Sequence, residues 1–411
     1  MIRAPPRVLL RAVSAPTSVR RLQAHYFAIY AVFGSVTPYI TIYLRDLKQL
    51  SLTDIGIIFA VGQSAVLFMP VVMTYLADRY RLVRPLFVGL FALNVLAMSA
   101  LMGAVGFWAC LLWIAINRLA TQPQVALGDG LYFTLQADPD QPRVAFSTVR
   151  VWGTIGFIVP SIVMFGAYYL GGGINWLPGV TALFAVLGIL NAFGLPMRSR
   201  QRESSSAQGM PTLEAAKVLM RPHLMLFCIG AGTVVFTNMA FYGFYPLYLT
   251  HQVGIAEKWV GPISSLGVGI EILYILGLDR MKNRFGFGGI MALASAASLF
   301  RFVCLAFLPT PFFAVCFQVF HGMTILGFFI VPVMYLNAHA EEGYRNSIQG
   351  LYVVLVAGFF SIAGNVFAGH VAEFGLITLY KASLGICAIG VALTGLSFWL
   401  AKRAPATSPN L

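Results

Sequence analysis

The sequence predicts an all-α polytopic membrane protein in which twelve transmembrane helices form two pseudo-symmetric six-helix bundles. Three observations predict it. Apolar runs of spanning length recur almost end to end, basic residues crowd onto one side of the topology those runs define, and the second half of the chain weakly repeats the first.

A chain of 411 residues that is 59% hydrophobic, 10% charged and of mean hydropathy +0.81 carries more apolar surface than one water-soluble core can bury. Lipid is therefore its solvent, and the composition argues against a soluble enzyme. A spanning helix needs roughly 20 apolar residues. Such runs lie near 22–44, 53–76, 85–104, 107–134, 146–169, 174–196, 223–249, 258–278, 287–308, 311–336, 347–371 and 380–400. Glycine and proline inside them are not breakers, because packed membrane helices tolerate both.

The net charge of +13 is carried in brief basic clusters between apolar runs, where headgroups and topology account for it better than nucleic acid does. With both termini in the cytoplasm, the inside segments hold 20 of the 27 Lys and Arg. The outside loops hold Arg45, Lys48, Lys258 and Lys381, while Arg118, Arg150 and Arg301 lie within spans. This asymmetry predicts a multi-pass protein of the cytoplasmic (inner) membrane with both ends inside. Residues 1–21 hold five arginines and no acid. They read as a basic cytoplasmic tail, with an organellar presequence as the alternative. The five cysteines sit in apolar runs without metal-ligand spacing and read as small buried hydrophobes.

The polar, Ser-rich and basic stretch 197–222 marks a cytoplasmic linker at the midpoint. It divides an N-terminal bundle, 22–196, from a C-terminal bundle, 223–400, with a short cytoplasmic tail at 401–411. Across it Tyr43-Leu44, Gly56 and Gly62 return as Tyr248-Leu249, Gly261 and Gly267, each displaced by 205. Asp78-Arg79 with Arg81 returns as Asp279-Arg280 with Lys282, displaced by 201, and Arg84 returns as Arg284, displaced by 200. Parallel repeats of this kind place a substrate site near mid-membrane at the repeat interface.

The segment Leu76-Ala77-Asp78-Arg79-Tyr80-Arg81, closing with Arg84 between the second and third spans, resembles the signature loop of the major facilitator superfamily. Thr74 stands in place of its usual opening glycine and the later glycine is missing, but the second copy at Asp279 strengthens the likeness. The resemblance implies a cytoplasmic gate built from Asp78, Arg79, Arg84, Asp279 and Arg280. The plainer reading, that Arg79 to Arg84 only fix topology, explains the charges but not Asp78. A finer resemblance runs to the branch containing lactose permease, nucleoside–proton symporters and phenylpropionate transporters. Asp129 and Val149-Arg150-Val151-Trp152-Gly153 are similar to that branch's substrate-site carboxylate and guanidinium. Ala240-Phe241-Tyr242-Gly243-Phe244, Glu271, Arg301 and His321 stand where its phenylpropionate and lactose carriers show similar residues. The carboxylate three residues past the histidine in lactose permease is Thr324 here, and its lysine is Gln318.

Ionised side chains deep in the hydrocarbon are costly and mark functional positions. Arg118 and Asp129, 11 residues apart, share one face of the fourth span. About 16 Å of helix axis separates them, so they cannot pair directly. Arg150, one short loop away, is the expected partner of Asp129, either as a substrate site or as a structural salt bridge. Glu271, Arg301 and His321 lie on three successive spans and are expected to line one wall, with Glu271 the first candidate for the proton and His321 the second. Arg118 leaves one cation unmatched, which either an anionic cargo or polar neighbours such as Asn117 and Gln122 would satisfy. Of the aromatic residues Tyr26, Tyr30, Phe33, Trp152, Tyr242 and Tyr245, the strongest candidates to stack on a solute are Trp152 and Tyr242.

The expected function is secondary active transport, by alternating access, of a small organic solute: an aromatic carboxylate, a sugar or a nucleoside. Proton-coupled import is expected, with a proton-driven exporter as the rival. No phosphate-binding loop appears, so ATP does not drive it. No cofactor or metal is expected, and the single chain is expected to suffice. A polytopic membrane enzyme is the remote alternative, disfavoured by short loops without His or carboxylate clusters apart from Glu341 and Glu342.

Overall fold

The computed structural model describes residues 17–137, 142–196, 211–339 and 345–403. Expectations for residues 1–16, for the Ser-rich stretch 197–210, for Glu341 and Glu342 and for 404–411 lie outside the described residues. Regular structure in the described residues is helical. In chain order it comprises α1 (Thr17–Val36), α2 (Leu52–Tyr80), α3 (Val83–Gly103), α4 (Gly106–Gln136), α5 (Phe146–Tyr169) and α6 (Gly173–Phe193). A short α7 (Pro211–Leu219) precedes α8 (Pro222–Gln252), α9 (Val260–Phe307), α10 (Pro311–Ala338), α11 (Ser347–Ala372) and α12 (Leu376–Arg403).

Nine of these helices are long and apolar enough to cross a membrane, and ten are if α1 counts with its bent continuation Ile40–Leu47. The bend of 40° follows Pro38, whose missing N–H cannot continue the ladder. α9 takes 48 residues, about 72 Å at 1.5 Å per residue, which is too long for one crossing of a core of roughly 30 Å. Its two limbs part at Gly286, whose φ of 64° is open to glycine at no steric cost, and each limb corresponds to one of the two spans expected there. α4 completes twelve. It falls outside the apolar group and carries Asn117, Arg118, Gln122, Gln124 and Asp129.

By internal contacts the chain divides into two compact units, and the division cuts through α2. One unit holds the chain through Gln49 with Phe68 to the linker, and the other holds Leu50–Leu67 with the whole second half. The first part of α2, expected in the N-terminal bundle, thus groups with the second unit. Gly56 meets the Gly369 backbone with no room for a Cβ on either, the Thr53 N–H donates to Glu373 Oε1 at 2.9 Å, and Gln63 Nε2 donates to the Ala357 carbonyl at 2.9 Å.

Within the first unit α1 crosses α5 by a reciprocal exchange: Gly34 lies against Phe157, and Gly156 against Phe27. The second unit repeats the device between α8 and α11, where Gly232 faces Phe360 and Gly364 faces Phe236. The internal repeat is also visible in backbone shape. Tyr43–Leu47 and Tyr248–Gln252, the segments whose Tyr-Leu pairs are displaced by 205, both form a π-turn with the Tyr and Leu buried.

Candidate functional site

In the first unit the site is assembled by α1, α4 and α5. Tyr26 and Tyr30 are one helical turn apart and share a face of α1. The buried Tyr26 hydroxyl donates to Asp129 Oδ1 at 2.5 Å. The Arg150 guanidinium carbon lies 4.2 Å from the centre of the Tyr30 ring, a cation–π arrangement. Gly153 makes this stack possible, since a Cβ there would strike both the Tyr30 ring and Arg150 Nη1.

The expected Asp129–Arg150 salt bridge is therefore replaced. Each charge is held by a tyrosine of α1, which the glycine crossings press against α5, and the guanidinium acts on the carboxylate only through its field. Arg150 makes no hydrogen bond to protein among the described residues, so its donors are unspent. Arg118, half-buried on α4, makes no hydrogen bond, ion pair or ring contact among the described residues. Its neighbour Asn117 turns its amide to another helix: Asn117 Nδ2 donates to Asn94 Oδ1 at 2.7 Å, an acceptor shared with the Thr121 hydroxyl. Trp152 is half-buried on α5.

In the second unit α8, α9 and α10 supply the candidates. Arg301 is completely buried, yet its partners are neutral: Nη1 donates to Asn238 Oδ1 at 3.1 Å and Nη2 to Thr324 Oγ1 at 3.0 Å. Its guanidinium carbon lies 4.3 Å from the Phe241 ring centre. Thr324 thus stands where the resemblance places a carboxylate and serves as an acceptor for the arginine. His321 is buried beside them, its ring 6.0 Å from Tyr242 and 6.3 Å from Phe241, with Nδ1 lacking a partner among the described residues.

Two glycines set this geometry. Gly267 of α9 lies against His321 and Gln318, and Gly322 of α10 lies against the Glu271 backbone. Close approach of α9 and α10 sets the backbone of half-buried Glu271 against Gly322, the residue after His321, and the buried Tyr242 hydroxyl lies within the fields of Arg301 and Glu271. α10 is irregular here, with a 3₁₀ turn at Phe317–Phe320 directly before His321 and a π-turn at Leu326–Ile330. Such breaks often sit at functional positions.

The gate residues are placed differently from one another. Asp78, Arg79, Asp279 and Arg280 are exposed and form no ion pair among the described residues. Arg84 instead donates from Nη2 to the Leu195 carbonyl at 2.8 Å, while Arg21 donates from Nη1 to the Gly194 carbonyl at 2.5 Å. Two guanidiniums thereby satisfy the carbonyls just past the C-terminus of α6, where orphan acceptors and the helix dipole both favour cations.

Two partners of the charged groups have no signal in the sequence that singles them out. Asn238 carries no charge, so no rule about membrane ions finds it, and Tyr26 is one aromatic residue among many. Among the described residues no three His, Cys, Asp or Glu come together as metal ligands.

Comparison with known proteins points one way. The model of a family described as the MFS_1 like family matches residues 19–382. The Nucleoside permease NupG of Escherichia coli (strain K12) is 24% identical over 372 residues, 84% of this chain and 86% of that protein. From the same organism, the Xanthosine permease is 23% identical over 86% of this chain and 88% of its own length. The Probable 3-phenylpropionic acid transporter is 24% identical over 87% and 92%. The crystal structure of nucleoside transporter NupG superposes with a TM-score of 0.79 at 20% identity, covering 94% of this chain and 100% of that one.

Proposed function

The chain belongs to the MFS_1 like family and is a transmembrane transporter of small molecules; on that premise we propose that it is a proton-coupled symporter importing a nucleoside or closely similar ring-bearing, hydroxylated solute. The observation that carries the proposal is the way the first unit holds its charges. Among the described residues Asp129 keeps one carboxylate oxygen unengaged, and Arg150 rests on the face of Tyr30 with its N–H donors uncommitted. A guanidinium stacked on a ring gives up none of its hydrogen bonds to the stack. Acceptor and donors therefore stand ready for the hydroxyl and base edges of a solute, beside aromatic faces that suit its ring. The relatives named as nucleoside and xanthosine permeases support the same class.

In this proposal the proton is taken up at Glu271, with His321 as the second candidate, and the proton gradient is the only drive. The single chain works by alternating access in the cytoplasmic membrane with both termini inside, as the lopsided distribution of Lys and Arg supports. A second reading, an aromatic carboxylate as cargo, is favoured by one specific observation: Arg118 has no acceptor on the protein among the described residues. A relative named as a probable 3-phenylpropionic acid transporter points the same way.

Proteoliposomes with an imposed proton gradient test both. Labelled uridine or xanthosine is expected to accumulate inside along the gradient, and its movement in the opposite sense would identify an exporter. Accumulation of labelled phenylpropionate with no uptake of either nucleoside would replace the first reading by the second.

A further inference from the structure

On the second unit, away from the charged constellation, a groove of about 900 Å³ opens between α12 and α9, lined by the end of the first limb of α9 and by its second limb. We propose that it binds an anionic phospholipid, with the phosphate held between Lys282 and Lys402 and an acyl chain lying along the groove. The site is independent of the cargo and of the proton relay.

The groove has the length of one bilayer leaflet. From Gly288 to Leu299 on one wall, and from Lys402 back to Val391 on the other, the lining spans 11 residues of helix, about 16 Å at 1.5 Å per residue. Half of a hydrocarbon core of roughly 30 Å is the same length. Its middle is lined by side chains too small to close it: Ala292 and Ala296 are exposed on α9, and a Cβ on Gly395 of α12 would meet nothing within 4 Å.

The mouth carries the complementary charge. Lys282 Nζ lies 5.3 Å from the centre of the Phe287 ring, and Lys402 is exposed in the last turn of α12. In the chain Arg280 and Arg284 flank Lys282 and Arg403 follows Lys402, with Asp279 the one acid in these two segments. This is the edge expected to face the cytoplasm, where anionic lipids are concentrated and basic pockets between helices hold their headgroups.

A third observation is independent of the charges. Ser295 lines the groove and is only 5% exposed, yet its hydroxyl has no hydrogen-bond partner on the protein among the described residues. About 10 Å of helix separates Ser295 from Gly288, so its hydroxyl can donate to an ester carbonyl of a lipid whose phosphate sits at the mouth.

Native mass spectrometry of the purified protein, equilibrated in micelles containing equal phosphatidylglycerol and phosphatidylcholine, reads this directly without any transport assay. The native protein is expected to retain phosphatidylglycerol preferentially. Lys282→Gln with Lys402→Gln should reduce that preference about tenfold or more and leave phosphatidylcholine unchanged. Ala296→Phe and Gly395→Leu, at exposed positions on opposite walls, should each displace the lipid while leaving thermal unfolding unchanged. Equal retention of the two lipids by the native protein would overturn the proposal. So would phosphatidylglycerol retention unaltered by the lysine pair, or unaltered by both wall variants, since the last outcome would mean that only a phosphate at the surface is bound.

Discussion

The two halves hold membrane arginines in opposite ways. Arg301 in the second unit is sealed from solvent, bonded to Asn238 and Thr324 and stacked on Phe241. Arg150 in the first unit touches the face of one tyrosine, and Arg118 has no protein partner among the described residues. Arg301 commits both terminal nitrogens to its own fold and leaves only Nε without a partner among the described residues; a charge tied in this way is a structural element, whereas one with no hydrogen bond to protein can answer a ligand. The repeated scaffold thus supplies similar positions, and the neighbouring side chains decide which arginines are fixed.

The contrast is tested most severely at Arg301. Arg301→Leu should strip Asn238 Oδ1 and Thr324 Oγ1 of their charged donor, leaving each side chain only its bond to a carbonyl of its own helix, and cost on the order of 3 kcal/mol, read as a lower unfolding temperature in detergent. Unchanged stability would mean that Arg301 is as uncommitted as Arg150. Next, Glu271→Gln should abolish accumulation driven by a proton gradient while leaving exchange of labelled solute across the membrane. Full accumulation by this variant would move the proton elsewhere, with His321 the first place to look.

A smaller effect belongs to Tyr26→Phe, which removes one hydrogen bond to a charged acceptor. About 1.5 kcal/mol, equivalent to roughly a tenfold weakening of uptake affinity, is expected with little change in unfolding temperature. If affinity holds while stability falls, the Tyr26–Asp129 pair is structural. The smallest change is expected for Arg118→Gln: stability within about 0.5 kcal/mol of the native protein, neutral nucleoside uptake retained, and only anionic aromatic solutes weakened. Equal loss for neutral and anionic solutes in parallel uptake assays would contradict the view that this cation awaits an anion.

Much of the scaffold was legible. Apolar length located the spans, and the Tyr-Leu repeat announced two similar halves whose matching π-turns the structure displays. Less legible was the course of α9, which turns on a single dihedral. Residues 280–285 are compatible with a helix, and nothing in composition says that the first limb continues through them to break only at Gly286. The partnerships of the charges were misread for a related reason. Proximity along the chain favoured Asp129 with Arg150, but the glycine crossings of α1 with α5 bring Tyr26 and Tyr30 to those groups.

The sequence by itself determined that this chain lives in lipid, that it is built twice, and which ionisable groups are buried in it. Those properties follow from transfer free energies summed over long runs, and they do not depend on how any helix is rotated. Only the tertiary structure decided that Arg301 is fixed by an asparagine and a threonine while Arg150 and Arg118, among the described residues, keep their hydrogen bonds unspent. A hydrogen bond forms within about 3 Å, so its partner depends on the tilt, rotation and closeness of neighbouring helices, set here by glycines such as Gly153, Gly267 and Gly322.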